Sequence, residues 1–146
     1  DIVHVPYKGA GAVLTDLMGN QVQALITSVP TALPHIKSGK LKALMVTGTE
    51  RNAMLPDVPS AKEVGMPKMD MDYWIGIGAP AGTPQAVVDK LNKEFNAGLA
   101  TPEAKKKIAE MGLTVVANTP AQATQLVSSE IQRWSAVIKQ AGIKPD

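Results

Sequence analysis

Tyr7-Lys8-Gly9-Ala10-Gly11 is the stretch whose residue types could do chemistry. A phenol, an ammonium group and two glycines follow directly on the apolar run Ile2 to Val5. A helix carrying Val13, Leu14, Leu17 and Met18 follows them. A glycine loop that opens a helix aims unpaired backbone N–H groups at one point, and the helix dipole adds partial positive charge there. Lys8 adds a mobile full charge. Gly9 and Gly11 permit close backbone approach or a positive φ. The chemistry this predicts is anion binding. The plain alternative is a βα turn with glycines placed only for geometry. The stretch is neither a P-loop nor a dinucleotide fingerprint. Thr27-Ser28 is a second candidate, because it ends another apolar run and its hydroxyls can donate to an anion.

Reactive chemistry does not assemble elsewhere. There is no Gly-x-Ser-x-Gly elbow, no His-Glu-x-x-His and no cysteine. His4 and His35 have no second ligand at metal spacing, so His4 reads as a satisfied strand residue and His35 as surface. Asp70 and Asp72 read as a solvated strand edge. No catalytic residue, metal or cofactor is predicted. The formal charge is only +2 and the lysines are scattered, which argues against nucleic acid as a partner. No apolar run reaches membrane-spanning length, and no signal-peptide pattern begins the chain. At 146 residues, 45% hydrophobic and 19% charged, the composition is that of a globular domain. Such a domain buries roughly 68–70% of its unfolded surface.

The elements that must position these residues read as an α/β fold with a parallel sheet. Residues 1–48 alternate strand, helix, strand, helix, strand. The strands are Ile2 to Val5, Val22 to Ile26 and Leu41 to Thr47. The first helix runs from about Ala10 to Met18 and stops at Gly19-Asn20. The second follows Thr31 as N-cap, with Pro34 in its first turn, and ends at Gly39. Ligands of such sheets sit beyond the carboxyl ends of the strands, where Tyr7-Lys8-Gly9 and Thr27-Ser28 both lie. Ser60 to Glu63 has capping-box spacing before a short helix ending at Gly65. Asp72 to Ala79 reads as a long strand. Thr83-Pro84, Thr101-Pro102 and Thr119-Pro120 each read as a helix start. The helices they open carry apolar stripes, including Val87, Leu91 and Phe95, then Leu126, Ile131, Trp134 and Ile138, and each stripe is read as a core face. Leu113 to Ala117 is a short strand.

His4-Val5-Pro6-Tyr7-Lys8-Gly9, Leu14-Thr15-Asp16-Leu17-Met18-Gly19, Leu33-Pro34-His35-Ile36-Lys37-Ser38-Gly39-Lys40-Leu41, Leu55-Pro56-Asp57-Val58-Pro59 and Ala79-Pro80-Ala81-Gly82-Thr83-Pro84 occur in that order. Together they resemble the Bug family, the periplasmic solute receptors of tripartite tricarboxylate transporters. The resemblance covers the C-terminal half of such a receptor, which implies a fragment. It implies a periplasmic-binding-protein type II-like fold of two lobes, a parallel-rich sheet with flanking helices. Residues 1–72 would form most of lobe two. Residues 73–146 would form a crossover strand and the C-terminal part of lobe one.

The implied function is non-enzymatic: binding a small carboxylate in the periplasm and delivering it to the membrane subunits of the transporter. The implied ligand residues are Tyr7, Lys8, Gly9, Ala10, Gly11, Thr27, Ser28 and Trp74. Trp74 would line the cleft between lobes or, alternatively, pack at the lobe boundary. Many relatives carry Asp-Asn where this chain has Thr27-Ser28. That departure predicts a carboxylate without a paired amine. Uncovered sheet edges predict a homodimer or swapped assembly. The alternative function, from fold analogy, is the effector-sensing domain of a transcription regulator.

Overall fold

The computed structural model describes residues 2–143. Helix α1 spans Ala10–Met18 and α2 spans Val29–Lys37. A 3-10 turn covers Pro67–Met69, followed by α3 (Gln85–Ala100), α4 (Pro102–Glu110) and α5 (Pro120–Ala141). The chain divides into two compact units. The first is Asp1–Trp74 with Lys106–Thr114, and the second is Ile75–Lys105 with Val115–Asp146.

The helices follow local chemistry closely. α1 ends where Gly19 donates to Thr15 and Asn20 takes a φ of 58°. α5 opens on a full capping box: Thr119 Oγ1 accepts from Gln122 N, and Gln122 Oε1 accepts from Thr119 N. It closes on left-handed Gly142. Thr101 Oγ1 likewise accepts from Ala104 N at the start of α4.

Three helix expectations need correction. α2 starts at Val29, with Ser28 as N-cap and Pro30 in the first turn, so Thr31 lies inside it and Pro34 falls in its interior. Pro30 already supplies the pre-set φ of a helix start, which is why the ladder begins earlier. Thr83 caps nothing: Pro84 is the N-cap of α3, and Thr83 Oγ1 donates back to Pro80 O. Ser60 to Glu63 makes its capping-box contacts, Ser60 N to Glu63 Oε2 at 2.8 Å and Glu63 N to Ser60 Oγ at 3.4 Å. It nonetheless encloses a turn and not a helix.

The expected parallel-rich sheet is not seen among the described residues. Among the described residues the β pairing is one isolated parallel bridge, Val46 with Ser60. Val46 N donates to Pro59 O at 2.9 Å and Ala61 N to Val46 O at 2.7 Å. On another flank Met71 N donates to Thr47 O, and Thr47 Oγ1 to Met71 O at 2.8 Å. The runs Ile2 to Val5, Val22 to Ile26, Asp72 to Ala79 and Leu113 to Ala117 form no ladder. Apolar periodicity reports a face that wants burial. A ladder also requires a second strand whose N–H and C=O groups complete the bonds.

Burial is equally uneven. Among the described residues the buried side chains are Val13, Leu14, Leu33, Leu55, Ser60 and Ala61, all in the first unit. α3, α4 and α5 bury no residue, although α3 packs against α5. Their stripes, expected as core faces, are exposed or only half-buried: Phe95 is 45% and Ile131 61% accessible, while Ile108 and Trp134 are half-buried. His4, read as a satisfied strand residue, is exposed too. The total accessible surface is 11439 Å². A compact monomer of 15.4 kDa would show roughly 7,200 Å². About half of the unfolded surface is buried, well short of the expected fraction. No described helix is long and apolar enough to cross a membrane.

Candidate functional site

α1 begins without a side-chain cap. Gly9 is its N-cap, extended at φ 169°, and no side chain bonds to the helix start. Its first turn holds no acidic residue. The leading N–H groups, those of Ala10, Gly11 and Ala12, therefore keep both their donors and the positive end of the dipole. α2 shares the missing side-chain cap, at Ser28, and the acid-free first turn, but Pro30 has no N–H and Thr31 N donates to Ser28 O at 3.1 Å, which leaves the Val29 N–H as its open leading donor. Both helix starts belong to the first unit.

Of the two roles read for the glycines, a left-handed backbone is not taken. Neither Gly9 nor Gly11 lies in the left-handed region, and a Cβ on either would meet nothing within 4 Å. Their effect is to leave open space above the backbone donors. The lysine, Lys8, is exposed beside them, and Ala10 and Gly11 form the first turn of α1.

Tyr7 is half-buried, and its hydroxyl donates to Asp16 Oδ2 at 2.6 Å. That bond, then burial, then the charge of Asp16 push the phenol above its ordinary pKa. The Tyr7 proton is therefore committed to α1, and the oxygen turns only lone pairs outward. Ser28 Oγ and Thr31 Oγ1 are 2.8 Å apart and share one hydrogen bond. Thr27 and Ser28 are half-buried. Trp74 closes the first unit and is 44% exposed.

Several residues that shape this unit escaped the sequence reading. Asp16 is one, although its place within the helix was legible. Asn52 is another: its Nδ2 donates to Gly112 O at 2.9 Å, across 60 positions, while its Oδ1 accepts from Met54 N. Gly112 takes a φ of +77°, and a Cβ there would lie 2.7 Å from Val29 Cγ1. The start of α2 is thus held against this glycine. Arg51 clasps Glu63 through Nε and Nη2 at 2.8–3.0 Å, and its Nη1 donates to Pro56 O. The Arg51 bond first, then the Ser60 N–H, lowers the Glu63 carboxyl from 4.5 to about 2. Only the capping-box spacing hinted at this clasp.

A shallow hollow in the first unit is lined by Gly48, Thr49, Ala61, Lys62, Pro67 and Asp70. It shares no residue with the loop at Tyr7 to Gly11 or with Thr27-Ser28. Among the described residues no three His, Asp or Glu side chains gather as metal ligands.

Comparison with known proteins gives concordant matches. The family described as "Tripartite tricarboxylate transporter family receptor" matches residues 1–143. Protein BugT of Bordetella pertussis is 36% identical over 140 residues, covering 96% of this chain and 43% of that protein. Among solved structures, an R. palustris protein with adipate superposes with a TM-score of 0.88 at 34% identity, over 97% of this chain and 48% of its own. The periplasmic binding protein BugD also gives 0.88 at 34% identity, over 100% of this chain and 50% of its own. The chain thus spans about half the length of these relatives.

Proposed function

This chain belongs to the tripartite tricarboxylate transporter receptor family, and from that premise we propose that it is the ligand-holding part of a solute receptor for a small carboxylate. One observation carries the reading. α1 and α2 both start without a side-chain cap or an acidic first turn, and Gly9 and Gly11, at the cap and in the first turn of α1, leave its N–H donors open. A carboxylate meets what those donors lack. Recognition by backbone donors and hydroxyls, with no general base at hand, suits binding and not turnover.

The ligand groups in this reading are the N–H groups of Gly9, Ala10 and Gly11, with Lys8 for charge and Thr27 and Ser28 for hydroxyls. Trp74 flanks the bound molecule. Thr27-Ser28 adds no negative charge. A carboxylate there would repel a bound acid by about 4 kcal/mol at about 4 Å and an effective dielectric near 20. The ligand is accordingly an acid without a paired amine. The relative solved with adipate supports the substrate class, and the periplasmic relative BugD supports a periplasmic setting. Delivery to a membrane transporter follows from the family. The family match favours this reading over a regulator's effector domain. In this reading residues 1–72 form most of one lobe, and residues 73–146 form a crossover strand and the C-terminal part of the other.

Calorimetry with a panel of dicarboxylates and matched amino acids, on the protein as its gene encodes it, tests the function. Gly11→Ala tests the site. A Cβ there meets no protein atom, and helix propensity makes the variant equal or more stable by up to about 1 kcal/mol. Its affinity for the acid falls at least tenfold, because the methyl group occupies the ligand's approach. Unchanged affinity in Gly11→Ala places the ligand elsewhere.

A further inference from the structure

Met66-Pro67-Lys68-Met69-Asp70-Met71 puts three thioethers into one short segment of the first unit. None of them is buried: Met66 is 50% exposed, and Met69 and Met71 are half-buried. Filling a gap in the core, the plain use of methionine, therefore does not account for them. The backbone gathers the three. Pro67–Met69 is a 3-10 turn, closed by Met69 N donating to Met66 O at 2.9 Å. In such a turn residues three apart share one face, roughly 6 Å apart along its axis. Asp70, at φ −74° and ψ 89°, leads on to Met71, whose Cα lies at most about 7 Å from that of Met69. Both ends of the segment are tied down. Met66 N donates to the carbonyl of buried Ala61 at 2.8 Å. Met71 N donates to Thr47 O at 3.2 Å, and Thr47 Oγ1 donates to Met71 O at 2.8 Å.

A thioether is neutral, soft and polarisable. It is a poor ligand for hard cations and a good one for Cu(I). Asp70 and Asp72 bring two negative charges to this stretch and Lys68 one positive charge, so the local balance favours a cation. The chain has no cysteine, and among the described residues no three His, Asp or Glu side chains gather to offer a harder site. We propose that Met66, Met69 and Met71 together bind one soft monovalent cation, Cu(I), through their three sulfur atoms. This site is separate from the carboxylate site and does not depend on it.

The test titrates the protein as its gene encodes it with Cu(I), under ascorbate and without oxygen, against the chromogenic chelator bicinchoninate. Ag(I), which needs no reductant, is the second probe, and Zn(II) and Mg(II) are the hard-metal arms. The wild type takes up one Cu(I) or one Ag(I) per chain at this site and neither hard ion. Met66→Leu, Met69→Leu and Met71→Leu each weaken Cu(I) by roughly tenfold or more, since each removes one sulfur. Leucine keeps the volume of methionine, so the metal-free melting temperatures stay close to that of the wild type. Met18→Leu, at an exposed methionine on α1, leaves the affinity unchanged. X-ray absorption at the copper edge shows a first shell of sulfur. An unaltered affinity in the triple leucine variant overturns the proposal. So does a first shell of nitrogen or oxygen, which assigns the metal to histidine or carboxylate. Equal weakening by Met18→Leu marks unspecific thioether binding and also overturns it, as does a wild type that takes up neither Cu(I) nor Ag(I).

Discussion

At the scale of single residues, Glu63 shows how an exposed ion pair can still matter. Its side chain and that of Arg51 are 42% and 47% accessible. Isolated pairs so exposed contribute little. Here the geometry is bidentate, and the same carboxylate accepts the Ser60 N–H, so one charge ties Arg51 to the turn at Ser60. The folded carboxyl titrates near 2 against an ordinary 4.5. The unfolded chain therefore takes up the proton first as pH falls. The stabilisation is whole above about 4.5 and is lost toward 2. Urea midpoints measured across that window should fall in the wild type and fall less in Glu63→Gln. Matching acid dependence in the two proteins would show that the clasp contributes nothing to stability.

At the scale of elements, the start of α2 is held by a distant turn. Gly112 ends the turn after α4 in the left-handed region, with its α-carbon facing Val29 and Asn52. Either condition alone would favour glycine, and here both apply. Gly112→Ala should cost about 1–2 kcal/mol for the backbone conformation. Moving Val29 away from the added methyl costs more. Asn52→Ala should cost about 1 kcal/mol by leaving Gly112 O without its donor. Chemical denaturation of both variants checks these values. If Gly112→Ala matched the wild type, the contact with Val29 would not hold α2. The sequence displayed Gly112 as a helix stop. It did not display Val29 beside it, because that meeting joins residues 83 positions apart.

At the scale of the whole molecule, uncovered apolar surface dominates. Ile75, Ile77 and Val116 are 68–71% accessible, and the stripes of α3 and α5 lie open. Burying such side chains is worth about 25 cal/mol per Å², and that contribution is absent from this chain's fold. The chain by itself should bind a hydrophobic dye, and its weight-average mass in sedimentation should rise with concentration. A dye-free monomer at high concentration would contradict this.

The sequence by itself determined the span of α1, the capping box that opens α5 and the likeness to the tripartite tricarboxylate transporter receptor family. Those features are local. Thr119 and Gln122 are three residues apart, and the loop from Tyr7 to Gly11 precedes its helix directly. Only the tertiary structure decided that the Tyr7 proton belongs to Asp16 and that Val46 pairs with Ser60. It also decided that Gly112 needs its missing side chain and that the helical stripes stay open. Each of these depends on which distant groups meet. A hydrophobic period states that a face requires a partner, but it does not contain the partner.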